Sequence, residues 1–379
     1  MSALRQITIN EQLSTKKKIG MKKFFTIKTM SLSVLLIALN FQLLTVNCIA
    51  GNPDRQGEAG AYELLLNPWA RTIGVHMTST AYVSGFEAMN INIAGLGRTK
   101  GLEVGLGYSN YLQGTGLGVS ALGYSQKIGN GAFGVSLIAM NFGKIPVTTT
   151  TQPEGTGSTY SPSFFNLALG YAHTFDEKVS VGISVRLINE SLADIAATGV
   201  TIDAGVQYYT GSTEYPDRFK FGVALRNVGA PMQYSGQGLA ASVSVSTVAQ
   251  PYVIRVARNV AQFELPSQLL MGFSYDILPE KKYKLVFAGN YTSNAFSRDE
   301  LGGAFIFDLN SLFTLRAGYR QEIGTSSSGI NSVYTGLSAG VSVQVPLSKG
   351  SDKMLSIDYG YLASNPFSGT HNISLRINL

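Results

Sequence analysis

The sequence closes on His371-Asn372-Ile373-Ser374-Leu375-Arg376-Ile377-Asn378-Leu379, nine residues that alternate without interruption. Ile373, Leu375, Ile377 and Leu379 fall on one face of an extended chain, and Asn372, Ser374, Arg376 and Asn378 on the other. Successive strand side chains point to opposite sides of a sheet, so one face is apolar and the other polar. A soluble protein normally covers such a strand with further chain. Ending on it fits the closing strand of an outer-membrane β-barrel, whose outer face meets lipid and whose lumen is polar.

The same alternation recurs back to about residue 100. Phe165, Leu167, Leu169 and Tyr171 interleave with Asn166, Ala168, Gly170 and Ala172, and Val179 to Leu187 repeats the pattern against Ser180, Gly182, Ser184 and Arg186. Phe221, Val223 and Leu225, then Phe313, Leu315, Ala317 and Tyr319, then Leu337 to Val345, do the same. The second face carries mostly Gly, Ser and Arg, a poor inner layer for a two-sheet sandwich. About fourteen runs from Gly101 onward have roughly the 9–11 residues that a tilted strand needs to cross the hydrocarbon layer. The fold class expected is all-β: a transmembrane antiparallel barrel of about fourteen strands over 101–379.

Connection lengths supply an independent test, because outer-membrane barrels have short periplasmic turns and longer extracellular loops in alternation. Gly129-Asn130-Gly131, Phe175 to Lys178, Leu278-Pro279-Glu280 and Asp308-Leu309-Asn310 fall at one end and are tight, with the Asn, Asp and Gly that hairpins favour. Residues 144–162, 229–266, 321–332 and 362–369 fall at the other and are long. The excursion 229–266 exceeds a plain loop, and Val243, Val245, Val253 and Arg255 around Gln250-Pro251 predict a hairpin above the membrane. It is the best candidate for a partner surface, with Tyr160, Tyr234, Tyr252, Arg255, Arg258 and Tyr334 as candidate contacts. Tyr171, Tyr208, Tyr275, Tyr319 and Tyr359 suit interfacial girdles.

Residues 1–50 are set apart from the fold. Lys22 and Lys23 precede an uncharged run, Met30–Val46, leading to Cys48-Ile49-Ala50, which is the pattern of a secretory signal peptide beginning at Met21 after an upstream extension. That segment holds seven of the 29 Lys and Arg and one of the 23 Asp and Glu, which leaves 22 of each in the remainder. A balanced chain has no basic field for nucleic acid. The sole cysteine also lies in the segment, so no disulfide or thiolate is expected beyond it. Residues 51–100 alternate poorly, with Ala61–Leu66 and Ala70–Val75 reading as short helical pieces, and are expected to fold into the lumen as a plug.

His76, His173 and His371 are far apart, and neither an HExxH pattern nor a cysteine cluster is present, so neither metal nor cofactor is expected. Each histidine reads as a solvated or capping residue. No Gly-x-Ser-x-Gly elbow precedes a helix, and the chain is expected not to be an enzyme. Arg186, Asp203, Arg226, Arg316 and Arg320 face the lumen, where they are expected to pair with acidic or carbonyl groups of the plug.

Several stretches together resemble the PorV/PorQ family of Bacteroidota outer-membrane proteins, itself similar to the long-chain fatty-acid transporter barrels. They are Ala88–Leu96 with its plug motif Asn92, Ala94, Gly95 and Leu96; Arg186–Tyr208; Leu225-Arg226-Asn227-Val228-Gly229; Leu265-Pro266-Ser267-Gln268; and His371–Leu375. Ile93 stands where the family pattern carries proline. The resemblance implies a role in the type IX secretion system, as a shuttle or anchor in the outer membrane of a Gram-negative bacterium. The implied partners are a secreted or surface protein bearing the type IX C-terminal domain, the outer-membrane translocon, and membrane lipid or lipopolysaccharide. The alternatives expected are a passive channel for hydrophobic compounds and a structural barrel subunit of a secretion or gliding complex.

Overall fold

The computed structural model describes residues 52–245, 252–279, 282–324, 332–348 and 353–379. The signal peptide and upstream extension read from residues 1–50 lie outside them, as do Gln250 and Pro251 of the expected hairpin. Fourteen strands form the wall: β1 (Leu102–Tyr111), β2 (Leu117–Ile128) and β3 (Gly131–Asn141), then, after the short pair β4 (Ile145–Pro146) and β5 (Thr159–Tyr160), β6 (Ser163–Phe175), β7 (Val179–Leu192), β8 (Ile195–Thr210) and β9 (Phe219–Gly229). After β10 (Ser235–Gly236) and the hairpin β11 (Ala240–Val245) and β12 (Tyr252–Ala257), the wall resumes with β13 (Gln268–Pro279), β14 (Tyr283–Asn294), β15 (Glu300–Leu309), β16 (Phe313–Glu322), β17 (Tyr334–Pro346), β18 (Met354–Ser364) and β19 (Thr370–Asn378).

Every wall pairing is antiparallel, and β1 against β19 closes the cylinder, with Glu103 opposite Asn378 and Asn110 opposite His371. The closing strand is therefore the one with which the sequence ends. Leu106, Leu169, Ile183, Val223, Leu315, Leu337 and Ile373 are exposed on the outer face, while their neighbours Ser184, Ser338, Asn372 and Ser374 are buried inside. An outward apolar band on a closed sheet leaves no unpaired edge and is stable only against lipid. No helix among the described residues is long and apolar enough to cross a membrane. The strands cross it in an outer-membrane barrel, and the turn lengths put both ends of the wall on the periplasmic side.

Residues 61–100 fill the lumen in short helical turns, Tyr62–Leu65, Ala70–Ile73, Gly85–Asn90 and Ile93–Arg98. The glycines of the inner face make room for them. A Cβ on Gly105 or Gly123 would lie within 2.1–2.3 Å of the Phe86 ring, and one on Gly340 would lie 2.8 Å from the Gly74 Cα. What reads in sequence as a face too sparse to pack is the imprint of a plug. Asn92 fixes that plug: its Oδ1 accepts from the Ala94 amide (3.1 Å), and its Nδ2 donates to Thr80 O (2.9 Å) and Val206 O of β8 (3.1 Å). Ile93 takes the first position of the turn that Asn92 caps, a place where proline is also at home.

Candidate functional site: a packed apolar cluster above a basic vestibule

Cross-strand registry sorts the inner face into rows. At the extracellular end Val119, Met140, Phe164, Glu190 and Ala197 stand side by side on β2, β3, β6, β7 and β8. The next row down is Ala121, Ile138, Asn166, Ile188 and Gly199, and the third is Gly123, Ser136, Ala168, Arg186 and Thr201. The upper two rows are mainly apolar and the third is not. Together with Leu64, Trp69 and Phe86 of the plug and Met232 and Leu265 of the excursion, they form one buried apolar cluster. Trp69 meets Phe86 edge-on at 4.8 Å between ring centres.

Arg186 is the floor of this chamber. It is 1% exposed, forms an ion pair with Asp203 at 2.9 Å, and donates to Asn166 Oδ1 (3.0 Å) and to Met89 O of the plug (2.9 Å). Burial removes both charges from water, a cost offset by the acceptors Asn166 and Met89 O for Arg186 and by the Asn227 amide for Asp203, with Arg186 Nε left without a partner. Arg226 also reaches the plug, donating to Leu64 O (3.4 Å) and Gln268 Oε1 (3.3 Å). Arg316 and Arg320 differ from the expectation that they face plug groups. Arg316 donates to Ser342 of β17, and Arg320 pairs with Glu300 of β15 at 2.7 Å.

The chamber wall has a seam. Between Ile202 and Ala204 of β8 the register with β9 shifts, so that Arg226 and Asn227 together stand against Asp203. Asn227 takes a left-handed φ of 57°, its amide donates to Asp203 Oδ1 (2.7 Å) and its side chain to Pro266 O (3.1 Å). The last β8–β9 pair is Thr201 with Gly229, where β9 leaves the wall while β8 continues upward. Met232 fills the space beyond: it is 2% exposed, and its Cγ lies 2.6 Å from where a Gly199 Cβ would stand.

At the periplasmic end a cavity of about 430 Å³ opens between the plug and strands β9 and β13 to β17. Lys220 of β9 and Lys284 of β14 both reach Asp276 of β13, at 3.0 and 2.9 Å. Arg71 of the plug pairs with Glu87 at 3.1 Å beside them.

The expected partner contacts do not form one surface. Tyr252 and Arg255 are exposed on β12, where Tyr252 opposes Val245 and Arg255 opposes Ser242, and Arg258 follows on the same arm. Tyr160 pairs with Ile145 on the separate β4–β5 ribbon. Tyr234 turns inward to donate to Glu190 Oε2 (2.6 Å), and burial with that carboxylate raises its phenol above the ordinary value. Tyr334 opens β17 and stands edge-on to His76 at 6.4 Å. His76 is itself 4% exposed with neither ring nitrogen bonded, which corrects its reading as a solvated residue: the plug turn buries it. His371 accepts or donates at Nδ1 with Tyr359 OH (2.8 Å) on the wall. Among the described residues no cluster of His, Cys, Asp or Glu could hold a metal.

No protein-family profile matches the chain, and no curated protein matches it. Solved structures do. The toluene transporter TodX of Pseudomonas putida is similar over 82% of this chain and 97% of its own, at 14% identity and a TM-score of 0.50. A TodX monoaromatic hydrocarbon channel lacking S2 gives 15% identity, the same coverage and the same score. The chain shares their fold. At such identity the likeness is one of fold alone, and it accords with the resemblance to fatty-acid transporter barrels expected from the sequence.

Proposed function

We propose that the protein is an outer-membrane channel for small apolar compounds. The observation that carries this reading is the apolar cluster in the extracellular half of the lumen: Val119, Ala121, Ile138, Met140, Phe164, Ile188 and Ala197 of β2 to β8 pack against the plug, with Glu190 and Asn166 in the same rows. A lumen built for hydrophilic solutes is wet and polar. Apolar lining offers water no hydrogen bonds and favours apolar solutes by about 25 cal/mol per Å² of surface removed from water. In this reading displacement of Met232, between the last β8–β9 pair and the β10–β8 pair, would open a side entrance from the membrane, and the plug residues Leu64, Trp69 and Phe86 occupy the path beyond it. The fold shared with toluene transporters supports the reading. The test is uptake of radiolabelled toluene by cells carrying the barrel and by cells without it. The barrel should speed entry, and Ile188→Asp should abolish the gain; equal rates with and without the barrel would sink the proposal.

A second reading rests on the β11–β12 hairpin, where Val243, Tyr252, Val253, Ile254 and Val256 are all exposed. Water-exposed apolar residues this dense on a projecting ribbon suit a docking surface. In this reading, which the PorV/PorQ resemblance implies, the barrel serves the type IX secretion system and holds a secreted or surface protein through its C-terminal domain, alone or beside the translocon, with Tyr252, Arg255 and Arg258 in contact. Deleting 243–259 should release a co-purifying client bearing that domain; purification in mild detergent that yields none removes the reading. In both readings the barrel works without catalysis.

A further inference from the structure

The periplasmic vestibule is built unlike the chamber above it. Five cationic side chains line its cavity: Arg71, Lys100, Lys220, Lys284 and Arg316. Only two carboxylates, Asp276 and Asp308, line it with them. Asp276 is divided between Lys220 and Lys284, and Asp308 accepts from the Ser311 amide at the β15–β16 turn (2.8 Å). Behind the lining, Glu87 answers Arg71, and Asp358 is reached from Arg316 through Ser342. Lys100 stands exposed at the mouth, and Lys284 is 42% exposed along its side chain.

A second observation is independent of charge. The Tyr82 hydroxyl and Ser79 Oγ both belong to residues of the cavity lining, and both are buried without a hydrogen-bond partner. Buried hydroxyls are ordinarily bonded, and an unmet one costs free energy. Two of them in a lining where cations outnumber carboxylates, although Glu87, Glu103 and Asp358 stand behind it near Arg71, supply donors for an oxyanion, which accepts several charge-assisted hydrogen bonds at once. A cavity of about 430 Å³ falls within the range of small-molecule sites.

We propose that this vestibule is an oxyanion-binding site that takes the carboxylate or phosphate group of a small periplasmic solute, held by Lys284, Arg71 and the Tyr82 hydroxyl. The site goes beyond the channel reading and stands or falls without it, since it needs no apolar compound in the chamber.

The experiment is isothermal titration of the full chain in an uncharged detergent with inorganic phosphate and, separately, with hexanoate, at constant ionic strength set with chloride. Two variants accompany the wild type. Tyr82→Phe keeps the ring and removes a hydroxyl with no protein partner, so folding is preserved; Lys284→Gln leaves Asp276 its bond to Lys220. Saturable binding of phosphate, hexanoate or both is expected, weakened about tenfold by Lys284→Gln and severalfold by Tyr82→Phe, as loss of a hydrogen bond to a charged group dictates. Phosphate alone would identify a phosphate ester as the ligand type, and hexanoate alone a carboxylic acid. Absence of saturation by either anion, or equal affinity in wild type and both variants, would overturn the site.

Discussion

The two halves of the lumen are built on the same strands and filled by the same plug, yet the upper is apolar over β2 to β8 whereas the lower opens into a charged cavity. Above Arg186 the inner face of β2 to β8 is mainly apolar and the plug packs into it with Trp69, Phe86 and Leu64, whereas on β9 and β13 to β16 it carries Arg226, Gln268, Asn294, Glu300 and Arg320. Below, the plug again packs apolar side chains into the wall, Met89, Ile93 and Leu96 against Ala132, Ala168 and Ala172, and beside that cluster lie ion pairs within the plug, Arg71 with Glu87, and within the wall, Lys220 with Asp276. Apolar packing follows shape and ignores salt, whereas partly wetted ion pairs are screened. The plug is therefore seated by apolar packing in both halves, and the ion pairs beside its lower end can be altered without unseating it.

The largest test removes the boundary between the halves. Arg186→Leu leaves Asp203 buried without its cation, and breaking a buried pair costs about 3–5 kcal/mol. Adding Asp203→Asn, which keeps an acceptor for the Asn227 amide, should restore most of that loss. Urea unfolding in detergent, followed through Trp69, the sole tryptophan, reads both variants at the plug itself. If the single and double variants unfold alike, Arg186 does not hold the two halves apart.

Next in size, Phe164→Ala empties the top row of the chamber. Truncating a buried phenylalanine costs about 3–5 kcal/mol, the lower figure where neighbours close in; here Met140 and Tyr234 are near enough to do so, and about 3 is expected. The loss should be the same at low and high salt. A strong salt dependence would mean that the upper half is not an apolar chamber.

Lys220→Met probes the lower half by the same measurement. Asp276 keeps Lys284, so the cost is that of one charged hydrogen bond, about 1.5–3 kcal/mol, and because Lys220 and Asp276 are both buried, salt should reduce it only slightly. No measurable loss would mean that Lys284 alone holds Asp276 and that Lys220 contributes nothing to the lower half.

How much of this the sequence disclosed depends on periodicity. The fold is legible because lipid demands an unbroken apolar row on every strand, so Ile373, Leu375 and Ile377 declare the wall without reference to anything distant. The chamber is hidden for the same reason: where the lumen turns apolar, both faces are apolar and alternation fails. Leu137-Ile138, Phe164-Phe165 and Leu187-Ile188 each pair one exposed with one buried residue, all at extracellular strand ends. Such doublets at matching heights were the available signal. Lys220, Asp276 and Lys284 gave none, since they meet only through the register of β9, β13 and β14. Tyr334 misleads because its place after a long loop suggests the outer rim, whereas the first residue of an inward strand faces the plug's His76.

The smallest expected effect separates stability from binding. Lys284→Gln removes the more exposed of the two lysines on Asp276, while the buried Lys220 still holds that carboxylate at 3.0 Å. Partly exposed pairs contribute about 0–1 kcal/mol, so the urea midpoint monitored through Trp69 should hardly move, and what little it moves should vanish at high salt. The same substitution at an oxyanion site weakens ligand binding about tenfold, because the exposed lysine is free to turn to a solute whereas Lys220 is committed to the wall. If Lys284→Gln instead unfolds the barrel as readily as Lys220→Met, the two lysines are equivalent structural props, and the charged half of the lumen is a foundation for the plug with no capacity left for a ligand.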